Sequence, residues 1–263
     1  MIIKDEEKYI KQCLDNALPL VDEAIVVDTG SADETINIIE KDYKDKVKLI
    51  KHIWNDDFSE ARNKSLEQAK GDWILILDAD EKLIFDKKKL LARLAEENVD
   101  GYNIPMYNFL SVDNIVYSAV MPRLFKNKLP KYKGAIHEQI TVSGAPLKTL
   151  KTLETSTCKI IHYGYLPENI MRKNKIERNM NIIKDELNRD PQNGFQWYNL
   201  GVSYMGESKY AQAIDAFIKA NEFSQDGRMS YHDDMVLRLA ECLYKEKSYK
   251  QLKDYLDILK KDF

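Results

Sequence analysis

The chain has 263 residues, and its 40 basic and 43 acidic side chains give a formal net charge of −3. At roughly 150 residues per domain, this length predicts one large domain or two unequal ones. Hydrophobic residues make up 44% of the sequence, which is enough for a folded core. The near-neutral balance argues against a nucleic-acid partner held by charge, because such proteins carry a basic patch.

Neither a membrane span nor a disulfide framework is predicted. No run of 18 apolar residues is present, and the amino-terminal MIIKDEEKYI is acidic where a signal peptide needs apolar residues. Three cysteines, Cys13, Cys158 and Cys242, lie far apart and are odd in number, which favours a reducing compartment. We therefore expect a cytoplasmic protein, and leave open a peripheral membrane contact and a homo-oligomer.

The first half of the sequence alternates strand and helix patterns. Ala24–Asp28 is rich in β-branched residues and predicts a strand. Ser31 precedes Glu34 by three residues, which predicts a capping box and a helix through about Lys41. The alternation continues with a strand over Val47–Ile53, a helix over Ser59–Ala69 and a buried strand over Trp73–Leu77. This order predicts an α/β fold with a Rossmann-like sheet flanked by helices.

The next segment predicts a mixed extension of that sheet. Short strand-like stretches broken by Pro and Gly occupy residues 101–107, 115–126, 136–142 and 158–163. After Pro167 the pattern becomes helical, beginning with a stripe of Ile176, Met180, Ile183 and Leu187. We therefore expect one domain over residues 1–165 and an all-α region over residues 166–263.

An internal repeat marks the helical region. Leu200-Gly201 recurs 39 residues later as Leu239-Ala240, and Lys209-Tyr210 recurs near Ser248-Tyr249. The first unit has small and aromatic residues at tetratricopeptide spacing: Trp197, Leu200, Gly201, Tyr204, Ala213, Phe217 and Ala220. Most of the aromatic side chains of both units are expected in the core, Tyr244 and Tyr249 included. The groove of the helix pair could also hold a peptide.

Two carboxylates at the end of a buried strand are the sharpest chemical feature. Asp78 and Asp80 flank one alanine directly after Trp73–Leu77, at the sheet edge where α/β proteins bind ligands. Such a pair can hold Mg²⁺ or Mn²⁺, whose shell substrate phosphates then complete. The alternative is a hydrated loop.

Other polar residues follow the same logic. Asp28 ends an earlier strand and could accept the N3–H of a uracil, or belong only to a turn. Arg62 lies one turn into a predicted helix, where it could reach a base or phosphate, or face solvent. Arg123 could face a phosphate, or cover apolar surface with its stem.

Together, five segments resemble the family 2 glycosyltransferases, which have the glycosyltransferase A fold. The segments are MIIKDEE, AIVVDTGSADET, WNDDFSEARNKSLEQAKGDWILILDADE, RLFKN and GAIHEQI, and they cover about residues 1–165. The resemblance is strongest to the branch that adds sugars to lipopolysaccharide cores, peptides or proteins, where tetratricopeptide-like tails also occur.

The resemblance implies a role for each candidate residue. Ile3, Asp5 and Glu6 would contact the nucleoside, and Asp28 the base with Arg62 beside it. Asp78 would face the ribose and the metal, and Asp80 the metal and the diphosphate. Glu138 would be the catalytic base. His162 would complete the metal shell, with His137 as a weaker candidate that could instead orient Glu138.

We therefore expect an inverting, metal-dependent transferase using Mn²⁺ or Mg²⁺ and a nucleotide-sugar, most simply a UDP-hexose. Its acceptor would be a protein, a peptide or a cell-envelope glycan. One alternative is a non-catalytic tetratricopeptide scaffold with a relic transferase domain. Another is a sugar nucleotidyltransferase, but the glycine-rich amino-terminal loop of those enzymes is absent.

Overall fold

A computed structural model describes residues 1–111, 114–142, 145–164, 174–224 and 231–259. The chain forms two compact units, Met1–Arg172 and Lys173–Phe263. The boundary expected at residue 165 lies outside the described residues, and the roles of the two domains stay predictions.

The first unit is an α/β structure. Its helices are α1 (Ile10–Ala17), α2 (Thr35–Asp42), α3 (Phe58–Leu66) and α4 (Lys87–Leu94). Its strands are β1 (Ile2–Ile3), β2 (Ala24–Asp28), β3 (Val47–Lys51), β4 (Trp73–Leu75), β5 (Glu81–Phe85), β6 (Gly101–Ser111), β7 (Asn114–Lys126), β8 (Pro130–Lys133), β9 (Gln139–Val142), β10 (Ala145–Pro146), β11 (Leu150–Thr152) and β12 (Cys158–His162).

The strands form three sheets. A parallel sheet has the order β1-β2-β3, and a mixed sheet has the order β4-β7-β6-β12-β5 with β11 also paired to β6. A small antiparallel sheet contains β8, β9 and β10. A cavity of about 290 Å³ is lined by one side of β2 and by β4, and helices α1, α3 and α4 also contribute to it.

The apolar patterns placed the first elements correctly. Strand β2 has the predicted bounds, and its Val26 and Val27 are fully buried. The predictions for β3, α3 and β4 were each right in position and a few residues too long. The capping box was wrong, because the hydroxyl of Ser31 accepts the Asp5 N–H instead and α2 starts only at Thr35.

The four strand-like stretches between residues 101 and 163 all contain strands, the longest being β6 and β7. Five other elements were not predicted, namely β5, α4, β8, β10 and β11. Strand β5 completes the sheet edge, since it pairs antiparallel with β12 from Phe85↔Cys158 to Glu81↔His162.

The second unit is helical. It contains α5 (Asn174–Arg189), α6 (Gly194–Gly206), α7 (Tyr210–Glu222), α8 (His232–Lys245) and α9 (Tyr249–Leu259). Helices α7 and α9 start 39 residues apart, in agreement with the sequence repeat. The predicted packing residues are mostly buried, but Ile176, Tyr244 and Tyr249 are about half exposed, which corrects their placement in the core.

Within the described ranges, no helix is both long enough and apolar enough to cross a bilayer. The parallel strands β1 and β2 end at Ile3 and Asp28, which pair with each other. The segment after β4 leads directly into Asp78 and Asp80. Asp28, Asp78 and Asp80 therefore lie at or shortly after strand ends of the α/β unit.

Candidate active site

The loop after β1 is tied to the turn after β2 by a set of short hydrogen bonds. Asp5 Oδ1 accepts the Ala32 N–H at 2.7 Å, and the Glu6 N–H donates to the Thr35 hydroxyl at 2.7 Å. Asp5 has a left-handed backbone with φ of 55°, which asparagine and aspartate tolerate better than most residues. These contacts hold the predicted nucleoside-binding loop in one shape.

Asp28 is buried at the end of β2. Its carboxylate accepts the N–H groups of Gly30 and Ser31, both at 3.1 Å, so it stabilises the turn. Gly30 has φ of 104°, a conformation open mainly to glycine. The structure therefore supports the alternative in which Asp28 belongs to a turn, while its contact with a nucleobase stays a prediction.

Asp78 lies between two arginines. Its Oδ1 is 3.2 Å from Nη2 of Arg62, and its Oδ2 is 3.3 Å from Nη2 of Arg123. Burial by itself would raise the pKa of Asp78, but the two positive charges and their hydrogen bonds outweigh it and hold the pKa well below its usual range. Asp78 is therefore ionised at neutral pH.

Arg62 connects Asp78 to Glu138. Its Nε donates to Glu138 Oε1, and both side chains are nearly buried, at 13% and 12% exposure. The guanidinium also lies 5.6 Å from the ring centroid of Tyr132. Burial alone would lower the pKa of Arg62, but Asp78 and Glu138 together raise it. The Arg62 guanidinium thus contacts both the predicted base, Glu138, and the predicted metal-binding residue Asp78.

The neighbour of Arg62 holds the loop that carries Glu138. The Asn63 side chain donates to the Tyr132 carbonyl at 3.0 Å and accepts the Tyr132 N–H at 2.8 Å, which fixes β8 to α3. The Phe58 N–H donates to the Ala135 carbonyl at 2.8 Å and ties the same loop to the start of α3.

Arg123 is buried rather than exposed toward a ligand. Its Nη2 donates to Glu81 Oε1 at 2.6 Å, in addition to its contact with Asp78. Glu81 is 2% exposed, and its second oxygen accepts the Asp78 N–H at 2.9 Å. Burial raises the pKa of Glu81 to about 7, although Arg123 opposes the shift. The predicted contact between Arg123 and a phosphate gains no support from this placement.

Asp80 and His162 form a second pair beside this network. The Nε2 atom of His162 is 3.5 Å from Asp80 Oδ2, and its Nδ1 is 3.0 Å from the side-chain oxygen of Asn108. Burial would lower the pKa of His162, but the hydrogen bond and charge of Asp80 outweigh it and raise the pKa. A positive charge is thus favoured next to Asp80.

Because Gly164 has no side chain, it leaves room for Asp80 and His162. A Cβ atom at residue 164 would lie 2.4 Å from His162 Nε2 and 2.9 Å from Asp80 Oδ2. His137, the other candidate, is exposed and has φ of 52°. His162 is therefore the histidine placed beside a predicted metal-binding carboxylate.

The residues beside Gly164 fit a cation that keeps most of its shell for other ligands. Across the described ranges, no group of three or more His, Cys, Asp or Glu side chains surrounds one position. One carboxylate and one imidazole can bind Mn²⁺, and substrate phosphates and water would supply the remaining donors. An outer partner such as Asn108 is typical of metal-binding histidines.

Four residues of this site were not predicted from the sequence: Asn63, Glu81, Asn108 and Gly164. Glu81 directly follows the predicted Asp78-Ala79-Asp80 motif, and Asn63 directly follows Arg62. Their adjacency was the available signal. Glu81 contacts Arg123 of β7, Asn63 contacts Tyr132 of β8, and Asn108 of β6 contacts His162 of β12, and only the folded chain brings these pairs close.

Residues 1–145 match the family described as Glycosyl transferase family 2. This match covers more than half of the chain, and the chain therefore belongs to family 2 of the glycosyltransferases. The resemblance in the sequence motifs is confirmed.

Two curated relatives extend over both units. The SPbeta prophage-derived glycosyltransferase SunS of Bacillus subtilis is 29% identical over 278 aligned residues, covering 100% of this chain and 62% of SunS. A TPR repeat-containing protein of Synechococcus elongatus is 31% identical over 220 residues, covering 81% of this chain and 53% of that protein. The chain thus spans less than two thirds of either relative.

Solved structures of Staphylococcus aureus TarS share the fold. TarS residues 1–349 in complex with UDP match with a TM-score of 0.54 and 16% identity, covering 97% of this chain and 87% of that one. Another crystal structure of the same TarS fragment gives a TM-score of 0.53. The predicted glycosyltransferase A fold with a helical extension is confirmed.

Proposed function

We propose that this chain transfers a sugar from a nucleotide-diphosphate donor, most simply a UDP-hexose, to an acceptor with inversion. The supporting observation is the continuous contact from Glu138 through Arg62 to Asp78, with Asp80 and His162 next to it. This arrangement supports the assignment of Glu138 as the proton acceptor and of Asp80 and His162 as the cation site on the diphosphate side.

The transfer is a single displacement at the anomeric carbon. An acceptor hydroxyl attacks from the face opposite the diphosphate, so a bond from acceptor oxygen to carbon forms while the bond from carbon to the diphosphate oxygen breaks. The hydroxyl proton passes to Glu138, and Arg62 holds that carboxylate in position. A well-placed base contributes roughly 10²–10⁴ in rate.

Asp80 and His162 would hold Mn²⁺ or Mg²⁺. The bound cation would neutralise the charge that develops on the departing diphosphate. Both oxygens of Asp78 contact arginines, so we assign this residue to orienting Arg62 and retain its direct metal contact only as the original prediction.

The donor's nucleoside is assigned to the loop after β1 and the turn after β2. Ile3, Asp5, Glu6 and Asp28 follow the ends of these parallel strands, which is where α/β sheets bind nucleotides. The TarS fragment solved in complex with UDP has the same fold and supports a uridine donor. In this assignment residues 1–165 form the catalytic domain.

Residues 166–263 are assigned to the acceptor, which is a protein, a peptide or a cell-envelope glycan. Two helical hairpins with a 39-residue spacing support a tetratricopeptide-like region. TarS is named a poly(ribitol-phosphate) beta-N-acetylglucosaminyltransferase, and it is 27% identical over 155 residues, which is 48% of this chain. That name supports a cell-envelope glycan as one acceptor class.

A donor screen tests the proposal. Nucleotide-sugars are incubated with the protein in Mn²⁺ and in EDTA, and release of the nucleoside diphosphate is measured. We expect hydrolysis of a UDP-sugar in Mn²⁺ only, and we expect Asp80→Asn to abolish it because the cation loses one of its two protein ligands. Asp22→Asn, an exposed aspartate outside the site, is the matched control and should hydrolyse normally.

The same screen distinguishes a transferase from the alternative, a non-catalytic tetratricopeptide scaffold with a relic transferase domain. A protein that binds and hydrolyses no nucleotide-sugar in any metal would contradict the transferase proposal. Equal hydrolysis in Mn²⁺ and EDTA would remove the metal role while leaving the transfer.

A further inference from the structure

A buried carboxylate behind the Asp78–Asp80 turn has no part in the displacement itself. The Glu81 side chain is 1% exposed and lies at the first position of β5. Removing a carboxylate from water costs several kcal/mol unless it is paired and fully hydrogen-bonded. The contacts that offset this cost therefore indicate what Glu81 does.

One carboxylate oxygen of Glu81 and its backbone N–H both contact Asp78. Oε2 accepts the Asp78 N–H at 2.9 Å, and the Glu81 N–H donates to the Asp78 carbonyl at 3.1 Å. Backbone and side chain of one residue thus close the same turn from both sides. Asp78, Ala79 and Asp80 have little freedom between these two hydrogen bonds.

Oε1 of Glu81 fixes Arg123. The same Nη2 atom contacts Glu81 at 2.6 Å and Asp78 at 3.3 Å, so Glu81 sets where the guanidinium meets Asp78. Arg123 is 8% exposed, and its Nε has no hydrogen-bond partner among the described residues. The guanidinium is therefore held mainly through its Nη2 contacts.

Asp80 receives its position from the same turn. Its carbonyl accepts the Tyr163 N–H at 2.9 Å, and Glu81 pairs with His162 across the β5–β12 ladder. The residue that closes the turn is thus also the ladder partner of the histidine that Asp80 contacts. A shift of Glu81 would move both sides of the Asp80–His162 pair.

We propose that Glu81 is a positioning residue of the donor site, which closes the Asp78–Asp80 turn and directs Asp78 to the arginines and Asp80 to His162. The inference rests on the proposed function and deepens it. Glutamine cannot replace Glu81, because its amide nitrogen would place a donor against either the Asp78 N–H or Arg123.

The first test is independent of activity. Hydrogen exchange of the Asp78 amide is compared in the wild-type chain and in Glu81→Gln, with Glu96→Gln as control. Glu96 also forms two ion pairs, with Arg93 and Lys151, but at the surface. We expect faster exchange of the Asp78 amide in Glu81→Gln alone. Equal protection in all three chains would overturn the proposal.

The second test measures UDP affinity by calorimetry in Mn²⁺ and in EDTA. Loss of an outer partner typically costs 10–100-fold in metal affinity or activity, so Glu81→Gln should weaken UDP binding in Mn²⁺ by about this factor. Its affinity in EDTA should match that of Glu96→Gln, while its melting temperature should be lower, because Arg123 loses its buried partner. An equal loss in EDTA would mean general damage and would overturn the positioning role.

A double-variant cycle tests the path through Arg123. If Glu81 acts through this guanidinium, the double variant Glu81→Gln/Arg123→Gln should lose no more UDP affinity in Mn²⁺ than the worse single variant. If the losses of UDP affinity add up, Glu81 does not act through Arg123. Should Glu81→Gln fail to fold, Arg123→Lys takes its place in the exchange and binding tests. A wild-type chain that binds no UDP would refute the proposed function, and the Asp78 exchange result would still decide whether Glu81 closes the turn.

Discussion

The residue assigned as base is held under backbone strain. His137, directly before Glu138, has φ of 52°, and a non-glycine residue in that region costs on the order of 1–3 kcal/mol. Gly134 in the same loop has φ of 96°. Such strain persists where the surroundings enforce it, here through Arg62 on one side and the docking of β8 by Asn63 on the other.

Replacing Glu138 by glutamine separates proton transfer from positioning. The amide keeps the size of the side chain and can still accept the Arg62 hydrogen bond, but it cannot take a proton. Transfer should fall by roughly 10²–10⁴, while UDP affinity in Mn²⁺ stays at the wild-type value. Steady-state kinetics and calorimetry on the same preparations measure both.

Glu154→Gln is the control for that variant. Glu154 is 70% exposed and pairs only weakly with Arg93, at 3.7 Å, so its loss should change neither quantity. Near wild-type transfer by Glu138→Gln would mean that the base is another group, and His137 would be tested next.

Some site residues were accessible from sequence and others were not. Asp28, Asp78 and Asp80 each follow a strand with a clear apolar pattern, and the end of a strand predicts a position at the ligand edge. Glu81 and Arg123 are 42 positions apart, and ordinary surface acids and arginines have the same local pattern. Only the tertiary contact shows that they are a buried pair.

The same limit applies to the elements. Strand β2 is a continuous apolar run that ends in Asp28 and pairs with β1 on one side and β3 on the other. Its bounds could therefore be predicted. Strand β5 begins with a buried glutamate and contains Ile84 at 41% exposure, so its apolar pattern is weak. The predicted cap at Ser31 failed because a residue 26 positions away, Asp5, takes its hydroxyl.

Met1 lines the cavity of about 290 Å³ beside β2 and β4, and its amine is buried there. The Met1 amine donates to the Ile25 carbonyl at 2.7 Å, and the Val27 N–H donates to the Met1 carbonyl at 2.9 Å, as in a parallel ladder. Burial first, and then the charge of Arg62, lower the pKa of the amine from 8.0 to about 6. The folded chain therefore favours the neutral amine.

This amine makes stability depend on pH. Between pH 6 and 8 the unfolded chain holds the amine proton and the folded chain does not, so the free energy of unfolding rises with pH. Two pKa units correspond to about 3 kcal/mol at most. Urea denaturation across this pH range, with the free amine and with an acetylated amine, measures the difference. The acetylated chain should lack this part of the rise.

Adding residues before Met1 tests whether the cavity beside β2 and β4 can hold apolar side chains. Joining Val-Ile-Val to Met1 should remove the amine-dependent rise and also raise stability, because apolar residues fill the cavity beside Ile25. Joining Gly-Ser-Gly should remove the same rise without the added stability. His162 is common to all these chains, so it does not affect the comparison. Equal stability of the two extended chains would show that the cavity does not bind an apolar strand.

At the scale of the whole molecule, each unit has its own core. The α/β unit buries residues such as Tyr102, Ile104 and Ile160 between its sheet and helices. The helical unit buries Phe217, Met235 and further residues between α6, α7 and α8. A change confined to one core should therefore leave the chemistry of the other unit intact.

Two glycines of α6 make a matched pair for this test. A Cβ atom at Gly201 would lie 2.6 Å from Cε1 of the fully buried Phe217, whereas one at Gly206 would meet nothing within 4 Å. Gly201→Ala should destabilise the helical unit by about 1–3 kcal/mol through overpacking. Gly206→Ala should be neutral or stabilise it slightly, because alanine favours the helix.

Urea denaturation followed by circular dichroism measures the stability of both variants, and calorimetry measures their UDP affinity in Mn²⁺. UDP affinity should equal the wild-type value in both, since every residue assigned to the donor lies before Gly164. The helical unit would then serve the acceptor without shaping the donor site. A loss of UDP affinity in Gly201→Ala but not in Gly206→Ala would instead show that the packing of α6 on α7 supports the donor site, and the division of roles between the two units would be wrong.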